Sequence, residues 1–282
     1  MSTRPRPVVV AIADKQPSAV AFAADEARST GAGLRVVHAV GTGAQSAEFY
    51  LGAERAMLDR EVAAGREVLA DARRVLDQTH PGLDTEFVLT EQAPIDALDR
   101  EARGARLVVV GADDVPWYER ILRTRVAGRL AMRAPCPVVV VPELEFPTGP
   151  DGEVVVALDG ETSAAGPLRL AFEEAGARDC LLHVLHATPP GTLASDAEAA
   201  RADVSAAVAT WRTRRPDVMV LEGAVHDNPA AAVARATRAA ELVVVGRPHH
   251  TLRLGVSRPL ASRVLAVAQC PVAVVPADYD GR

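Results

Sequence analysis

Aromatic residues are scarce, at 4% of 282 residues, so valine, alanine and leucine must supply most of the core packing. This composition favours sheets covered by helices over an aromatic-rich β-sandwich. Cysteine is equally scarce. Cys136, Cys180 and Cys270 show neither C-x-x-C spacing nor an even-numbered set, so the sequence predicts no disulfide framework and indicates a reducing, cytoplasmic setting.

The chain also lacks long apolar runs and an excess of positive charge. The N-terminus, MSTRPRPVVV, has no apolar signal core, and no run reaches the roughly 18 residues that a membrane span needs. The 31 Lys and Arg residues stand against 37 Asp and Glu, for a net charge of −6. This balance argues against general binding to nucleic acid or anionic lipid. We therefore expect no nucleic-acid partner and no membrane partner.

What the sequence does contain is an internal repeat. The run APCPVVVVP returns as AQCPVAVVP, and ARLVVVG, which ends at Gly111, returns as AELVVVG, which ends at Gly246. Near the start of each copy, VVVAIAD ends at Asp14 and VVVALD ends at Asp159. Each copy is far longer than a solenoid unit, so the repeat indicates a duplicated domain. We place the domains at residues 1–144 and 151–282, joined by the Pro- and Gly-containing segment Glu143–Gly152.

Each copy alternates short valine-rich runs with helical patterns. Most runs are continuously apolar, which is typical of parallel strands covered on both faces. Apolar residues at intervals of three and four from Leu58 to Leu76 predict a helix with one stripe against the sheet, and Val204, Val208 and Trp211 predict a shorter one. The alternation predicts an α/β fold with a doubly wound parallel sheet in each half. The predicted strands are Val8–Ile12, Leu34–Val37, Glu86–Leu89, Leu107–Val110 and Val138–Val141, then Val154–Leu158, Leu181–Leu185, Val218–Leu221, Leu242–Val245 and Val272–Val275.

A ligand of such a sheet binds beyond the carboxyl ends of the strands, where the strand order reverses. A glycine directly after a strand lets the backbone approach a phosphate closely, although it can also simply end the strand. Asp14 and Asp159 could accept hydrogen bonds from a ligand or cap the first helix. The candidate residues follow the first strand (Ala13, Asp14, Leu158, Asp159, Gly160), the second strand (Val40) and the fourth strand (Gly111, Gly246).

The segments VVVAIAD, ALDG, LVVVG and CPVxVVP, taken in order and present twice over nearly the whole chain, resemble the universal stress proteins. The resemblance implies a five-stranded parallel sheet of order 3-2-1-4-5 in each half. It also implies that the last strands pair across a pseudo-twofold axis, which would make the chain an intramolecular pseudo-dimer. Many members of the family bind ATP, and others do not.

The ATP-binding members carry G-x2-G-x9-G-[S/T] after the fourth strand, and the first copy departs from this pattern. Gly111 is kept, but Asp114 replaces the second glycine and Thr124 stands where the third would be. Side chains at these positions obstruct the backbone approach to a phosphate. A carboxylate about 4 Å from a phosphate oxygen costs roughly 1 kcal/mol in water and about 4 near a surface, so a weak site would be lost.

The second copy departs from the pattern differently. It keeps Gly246, but His249 takes the next place, and the loop is one residue short, so that Arg258 stands near its end. The loop Arg247–Arg258 also contains Arg253 and has no acidic residue. Its cations could hold a phosphate without a glycine cradle, or form a solvated basic loop that docks on an acidic partner. We expect no cofactor; ATP or another adenine nucleotide remains the alternative, with the second domain favoured.

Other chemistry-bearing residues indicate structural roles. His38 and His186 occupy matching positions near the sheet end, and Cys136 and Cys270 match as small buried residues. The sequence shows no metal-ligand spacing and no G-x-S-x-G, H-E-x-x-H or Walker lysine motif. These patterns give no support to an enzyme.

The resulting hypothesis is a tandem, non-catalytic binding or regulatory protein of the stress response, with impaired or atypical nucleotide binding. The pseudo-dimer would form through Val138–Val141 and Val272–Val275, because an apolar edge strand invites pairing. A homodimer and an unknown protein partner are further expectations. One alternative is an ATP-binding switch with weak hydrolysis; another is an enzyme acting on a small phosphorylated ligand.

Overall fold

The computed structural model describes residues 5–14, 16–41, 51–112, 125–143, 152–158, 164–247 and 260–281. Within these ranges ten strands alternate with eight helices, which confirms the predicted α/β fold. The first half comprises β1 Val8–Ala11, α1 Pro17–Thr30, β2 Leu34–Ala39, α2 Leu51–Thr79, β3 Thr85–Thr90, α3 Pro94–Ala102, β4 Leu107–Gly111, α4 Arg125–Ala131 and β5 Val138–Val141. The second half comprises β6 Glu153–Leu158, α5 Ala165–Arg178, β7 Leu182–Thr188, α6 Ala194–Arg214, β8 Val220–His226, α7 Pro229–Ala236, β9 Ala240–Gly246, α8 Leu260–Leu265 and β10 Val272–Val275.

The strands form one sheet of order β3-β2-β1-β4-β5-β10-β9-β6-β7-β8. Each half has the predicted order 3-2-1-4-5, with parallel pairing. The two five-stranded sheets are not separate, however, because β5 and β10 pair antiparallel and make the sheet continuous. Val139 stands opposite Ala273 at the centre of this joint, between the pairs Val140–Val272 and Val138–Val274.

The sheet is covered by helices on both faces, which explains the continuously apolar strands. Residues of α1, α2, α5 and α6 pack on one face, and residues of α3, α4, α7 and α8 pack on the other. The predicted helical stripe is confirmed, since Leu69 and Leu76 of α2 are buried. Val204 and Val208 of the shorter α6 are buried as well.

The prediction for β8 was wrong in its boundaries. The expected run Val218–Leu221 covers only the beginning of the strand, which extends over Val220–His226. This strand lies at the sheet edge, where only β7 pairs with it. Its residues are therefore half-buried or exposed and include polar ones, so a search for apolar runs ends too early.

Asp14 does not cap helix α1, which was one of the two roles considered for it. The helix begins at Pro17, whose fixed φ suits the first turn, and the N-cap residue is Gln16, which makes no side-chain cap. Glu143, just after β5, supplies the acceptor instead. Its Oε1 atom accepts from the Ser18 backbone N–H at 3.3 Å and from the Ser18 hydroxyl at 2.7 Å. The helix thus acquires its capping group from 125 residues away.

Candidate functional site

A cavity of about 190 Å³ lies at the carboxyl edge of the first half's sheet. It is bounded by the ends of β1, β4 and β5 and by helices α3 and α4, and the second half closes one side with residues of α8 and the start of β10. It therefore lies beside the antiparallel joint. The lining residues are Ala11, Ile12, Ala13, Gln16, Val37, Ala39, Pro94, Leu98, Val110, Gly111, Ala112, Val126, Ala127, Gly128, Val140, Pro142, Leu265, Ala268, Cys270 and Val272.

The side chains that line this cavity are almost entirely apolar. Among the described residues that line it, only the Gln16 amide and the Cys270 thiol are polar side chains, and none is charged. Apolar side chains offer no compensation for the hydration that a phosphate group loses on entering, so only backbone groups could supply it. The cavity is therefore suited to an uncharged molecular surface.

The side chain of Gln16 lies directly against Gly111. A methyl group added at Gly111 would lie 2.7 Å from Gln16 Nε2 and 2.8 Å from Gln16 Cδ. The same amide is held through its oxygen, because the Ala13 backbone N–H donates to Gln16 Oε1 at 3.2 Å. Because Gly111 has no side chain, it leaves room for Gln16 of the same chain.

The structure brings together only some of the predicted ligand residues. Ala13 and Gly111 line the cavity. Asp14 is exposed beside it and is not among the lining residues. Val40 is buried and does not line the cavity, and its backbone N–H donates to the Thr90 carbonyl at 2.9 Å.

In the second half, Leu158 ends β6 and Gly246 ends β9, where it stands in register with Val275. Both residues occupy the strand ends at which they were predicted. The remaining predicted residues of the two halves lie outside the described residues: Thr124 in the first half, and Asp159, Gly160, His249, Arg253 and Arg258 in the second.

Arg247 begins the basic loop of the second half, and its side chain points to the first half. The guanidinium Nη1 donates to the Ala134 carbonyl at 2.6 Å. A residue expected among the anion-binding cations thus contributes to the contact between the halves.

The structural roles expected of His38 and His186 are confirmed. His38 Nδ1 lies 2.8 Å from the Ile12 carbonyl, and His186 Nδ1 lies 3.0 Å from the Leu158 carbonyl. A carbonyl can only accept, so Nδ1 carries the proton in both rings. Gly65 of α2 leaves room for the first ring, since an added methyl group would lie 2.7 Å from His38 Cδ2.

Cys136 and Cys270 are buried, as expected, and burial raises the pKa of each thiol to about 12. Thiols with such a pKa stay protonated near neutral pH and are poor nucleophiles. Cys180 is only partly buried, and burial also raises its pKa.

The sequence analysis missed a buried ionic cluster between the two halves. Glu26 of α1 and Glu174 of α5 are both buried, and each is the tenth residue of a 14-residue helix. Arg178 forms an ion pair with Glu174, and its Nη2 lies 3.7 Å from Glu26 Oε2. The sequence contained a sign of this cluster, because an acidic residue recurs at the same position on a buried face of two equivalent helices.

The described part of the chain contains no group of three or more His, Cys, Asp or Glu side chains that could hold a metal ion. Every helix in that part is too short or too polar to traverse a lipid bilayer.

Comparison with known proteins gives a consistent result over both halves. A sequence profile described as the Universal stress protein family matches residues 5–142 and 152–276. A universal stress protein of Mycobacterium tuberculosis is 30% identical over 290 residues, which covers 99% of each chain. A second one from the same organism is 30% identical over 198 residues, covering 64% of this chain and 66% of the relative. The crystal structure of a universal stress protein from Archaeoglobus fulgidus matches with a TM-score of 0.69 at 15% identity, covering 96% of both chains.

Proposed function

Because the chain belongs to the universal stress protein family, we propose that it is a non-catalytic binding or regulatory protein of the stress response that does not hold ATP in its first half. The observation that carries this proposal is the position of Gln16 against Gly111, both in the lining of a cavity whose described side chains bear no charge. A triphosphate needs backbone N–H donors that it can approach closely. In this cleft the Gln16 side chain fills the space next to Gly111 that such an approach requires.

Electrostatics around the first half's cleft support the same proposal. The N-terminus of α1 would attract an anion, but the Glu143 carboxylate already accepts its hydrogen bonds. The sequence adds Asp113 and Asp114 after Gly111. One carboxylate within about 4 Å of a phosphate near a surface costs about 4 kcal/mol, close to a thousandfold in affinity.

The proposal of a non-catalytic role rests on the titratable groups of the cavity. Among the described lining residues, the Cys270 thiol is the one such group, and burial raises its pKa to about 12. General acid–base catalysis is most efficient when the pKa of the catalytic group lies near the working pH. The cavity is therefore better suited to binding than to proton transfer.

The second half supports a second candidate, an adenine-nucleotide switch with weak hydrolysis. The sequence between Gly246 and Leu260 contains His249, Arg253 and Arg258 and no acidic residue. Cations in this loop could pair with phosphate oxygens directly. A third candidate, an enzyme acting on a small phosphorylated ligand, would use the same cations.

Isothermal titration with ATP, ADP, AMP and cyclic AMP, with and without magnesium, tests the proposal. We expect no tight binding in the first half. If binding is found, Arg258→Ala should abolish it, whereas the matched first-half variant Asp114→Ala should leave it unchanged. Binding that survives Arg258→Ala and responds to Asp114→Ala would place the nucleotide in the first half and contradict the proposal. Turnover of phosphorylated metabolites would support the enzyme candidate instead.

A further inference from the structure

The cavity beside Gly111 extends to the joint between the two halves. Val140 of β5 and Val272 of β10, which stand opposite each other in the antiparallel pairing, both line it. Leu265 of α8 contributes a further part of the wall from the second half. A molecule in this cavity therefore contacts both halves at once.

The size of the cavity indicates the size of its ligand. Its volume is about 190 Å³. An apolar cavity of about 150 Å³ in a protein core stays dry and binds benzene. Pockets for drug-sized ligands are larger, at about 300–1,000 Å³. The cavity thus has room for a single six-membered ring that carries one short substituent.

Backbone N–H groups at this edge of the sheet are already engaged. The Ile12 N–H donates to a carbonyl of β2 at 3.0 Å, and the Ala112 N–H donates to a carbonyl of β5 at 2.7 Å. The Ala13 N–H donates to Gln16 Oε1 at 3.2 Å. These donors follow the first and fourth strands, where a phosphate would need them. An anion would have to break these bonds, whereas an uncharged apolar molecule leaves all of them in place.

The two polar side chains among the described lining residues differ in what they can offer a ligand. The Cys270 thiol already donates to the Pro271 carbonyl, with the sulfur 3.4 Å from the oxygen. The Gln16 oxygen accepts from Ala13, but within the described part of the chain its Nε2 group has no acceptor. Gln16 Nε2 can therefore donate to one carbonyl or hydroxyl oxygen of a ligand.

We propose that this cavity binds a small uncharged molecule, made of one ring or a short branched hydrocarbon with at most one hydrogen-bond acceptor, and that binding strengthens the joint. The inference rests on the proposed function, since it names the ligand class of the same cleft. The apolar body of the ligand packs among Val140, Val272 and Leu265, and its acceptor faces Gln16. Water finds few partners between apolar walls, so its displacement by an apolar molecule favours binding.

Binding strengthens the joint because the site is complete only while the halves are paired. If β5 and β10 separate, Val272 and Leu265 no longer face the first half, and the ligand loses its contacts with them. A ligand that binds only the paired, folded form stabilises that form increasingly as its concentration rises. The unfolding temperature should therefore increase with ligand concentration.

Titration of the full chain with three probes of similar size tests the ligand class. Acetophenone has a ring and a carbonyl acceptor, ethylbenzene lacks the acceptor, and benzoate carries a charge. We expect acetophenone and ethylbenzene to give saturable shifts of the Val140 and Val272 methyl resonances, which the Val140→Ile and Val272→Ile variants assign. Benzoate should bind at least about tenfold more weakly, because its carboxylate loses hydration without gaining a cation. Near saturation the two uncharged probes should raise the unfolding temperature by a few degrees.

Two variants fill the cavity from opposite sides. Ala127→Leu adds three carbon atoms from the first half and Ala268→Leu adds them from the second, and each should abolish the response to the uncharged probes. Either variant suffices if the other fails to fold. Ala209→Leu, on the exposed face of α6, is the matched control and should retain the response. Gln16→Leu should remove a preference of about fivefold for acetophenone over ethylbenzene, which the hydrogen bond provides.

ATP is titrated into the same samples, so that two kinds of failure are distinguished. Absence of saturable shifts with both uncharged probes, in a protein that binds no ATP, would overturn this inference and leave the proposed function standing. Shifts that survive in a folded cavity-filling variant, or benzoate binding as tight as that of acetophenone, would also overturn it. ATP binding that shifts the Val140 resonance would contradict the proposed function and this inference together.

Discussion

The side chain of Gln16 lies so close to Gly111 that an added methyl group would stand 2.7 Å from the amide nitrogen. Gln16 precedes α1, whereas Gly111 ends β4. The contact therefore links the segment that follows the first strand to the end of the fourth strand. Ligands of this fold bind at this edge of the sheet. It places a side chain where a phosphate-binding site needs open backbone.

The first prediction concerns this contact. Gly111→Ala should destabilise the protein by about 1 kcal/mol, at the lower end for overpacking, because the flexible glutamine can move aside. In a Gln16→Ala background the same substitution should cost almost nothing. Urea unfolding of the four proteins gives the coupling energy. Gly128→Ala is the matched control, because no residue that the structure describes lies within 4 Å of the added methyl group and alanine favours the helix. Equal costs of Gly111→Ala in both backgrounds would contradict the contact.

The second prediction concerns Arg247 at the joint. Arg247→Ala should destabilise the protein by about 1–2 kcal/mol, because the hydrogen bond from the guanidinium to the Ala134 carbonyl is lost. Its effect on any nucleotide affinity should be negligible. Arg238→Ala, an exposed arginine on the same half, is the control and should change stability by less than about 0.5 kcal/mol. Loss of nucleotide binding with unchanged stability in Arg247→Ala would assign this residue to a ligand site instead.

The third prediction concerns the remote cap of α1. Glu143→Ala should cost about 1 kcal/mol, as for loss of an N-cap, because Ser18 loses the acceptor of two hydrogen bonds. Ser18→Ala should cost less, since the backbone bond to Glu143 remains. The double variant should be less destabilised than the sum of the two, as measured by urea unfolding. Strict additivity would show that the two residues act independently.

The fourth prediction concerns thiol reactivity. In the folded protein at pH 8, a disulfide reagent should modify Cys180 slowly and leave Cys136 and Cys270 unmodified, because burial raises the pKa of both to about 12. In urea all three should react. A Cys180→Ser variant should show almost no reaction until it unfolds. Rapid modification of two or more thiols in the folded wild type would refute the burial of this pair.

Sequence patterns predict the fold class well, because strands and helices leave features that repeat along the chain, whereas the strand order was implied by the resemblance to the universal stress proteins. Continuous valine runs such as that of β1 predict parallel strands covered on both faces, and the duplication predicts two similar halves. The strand whose boundaries were predicted wrongly is β8. It lies at the sheet edge and pairs with one neighbour only, so it contains half-buried and exposed residues and not a continuous apolar run.

The site is harder to predict, because its contacts join residues that are distant in sequence. Glu143 reaches Ser18 over 125 residues, whereas the sequence offered the nearby Asp14 as a possible cap. Gln16 carries no motif that would direct it to Gly111, and only the packing of strand ends brings the two together. Spacing analysis detects what recurs along the chain, whereas these contacts occur in one half and depend on its tertiary packing.

A crystal structure of the protein grown with magnesium and ATP tests the first half most directly. We predict that the cavity beside Gly111 contains no triphosphate and that the Gln16 amide still lies against this glycine. Electron density for phosphates next to Gly111, with Gln16 displaced from it, would contradict the account.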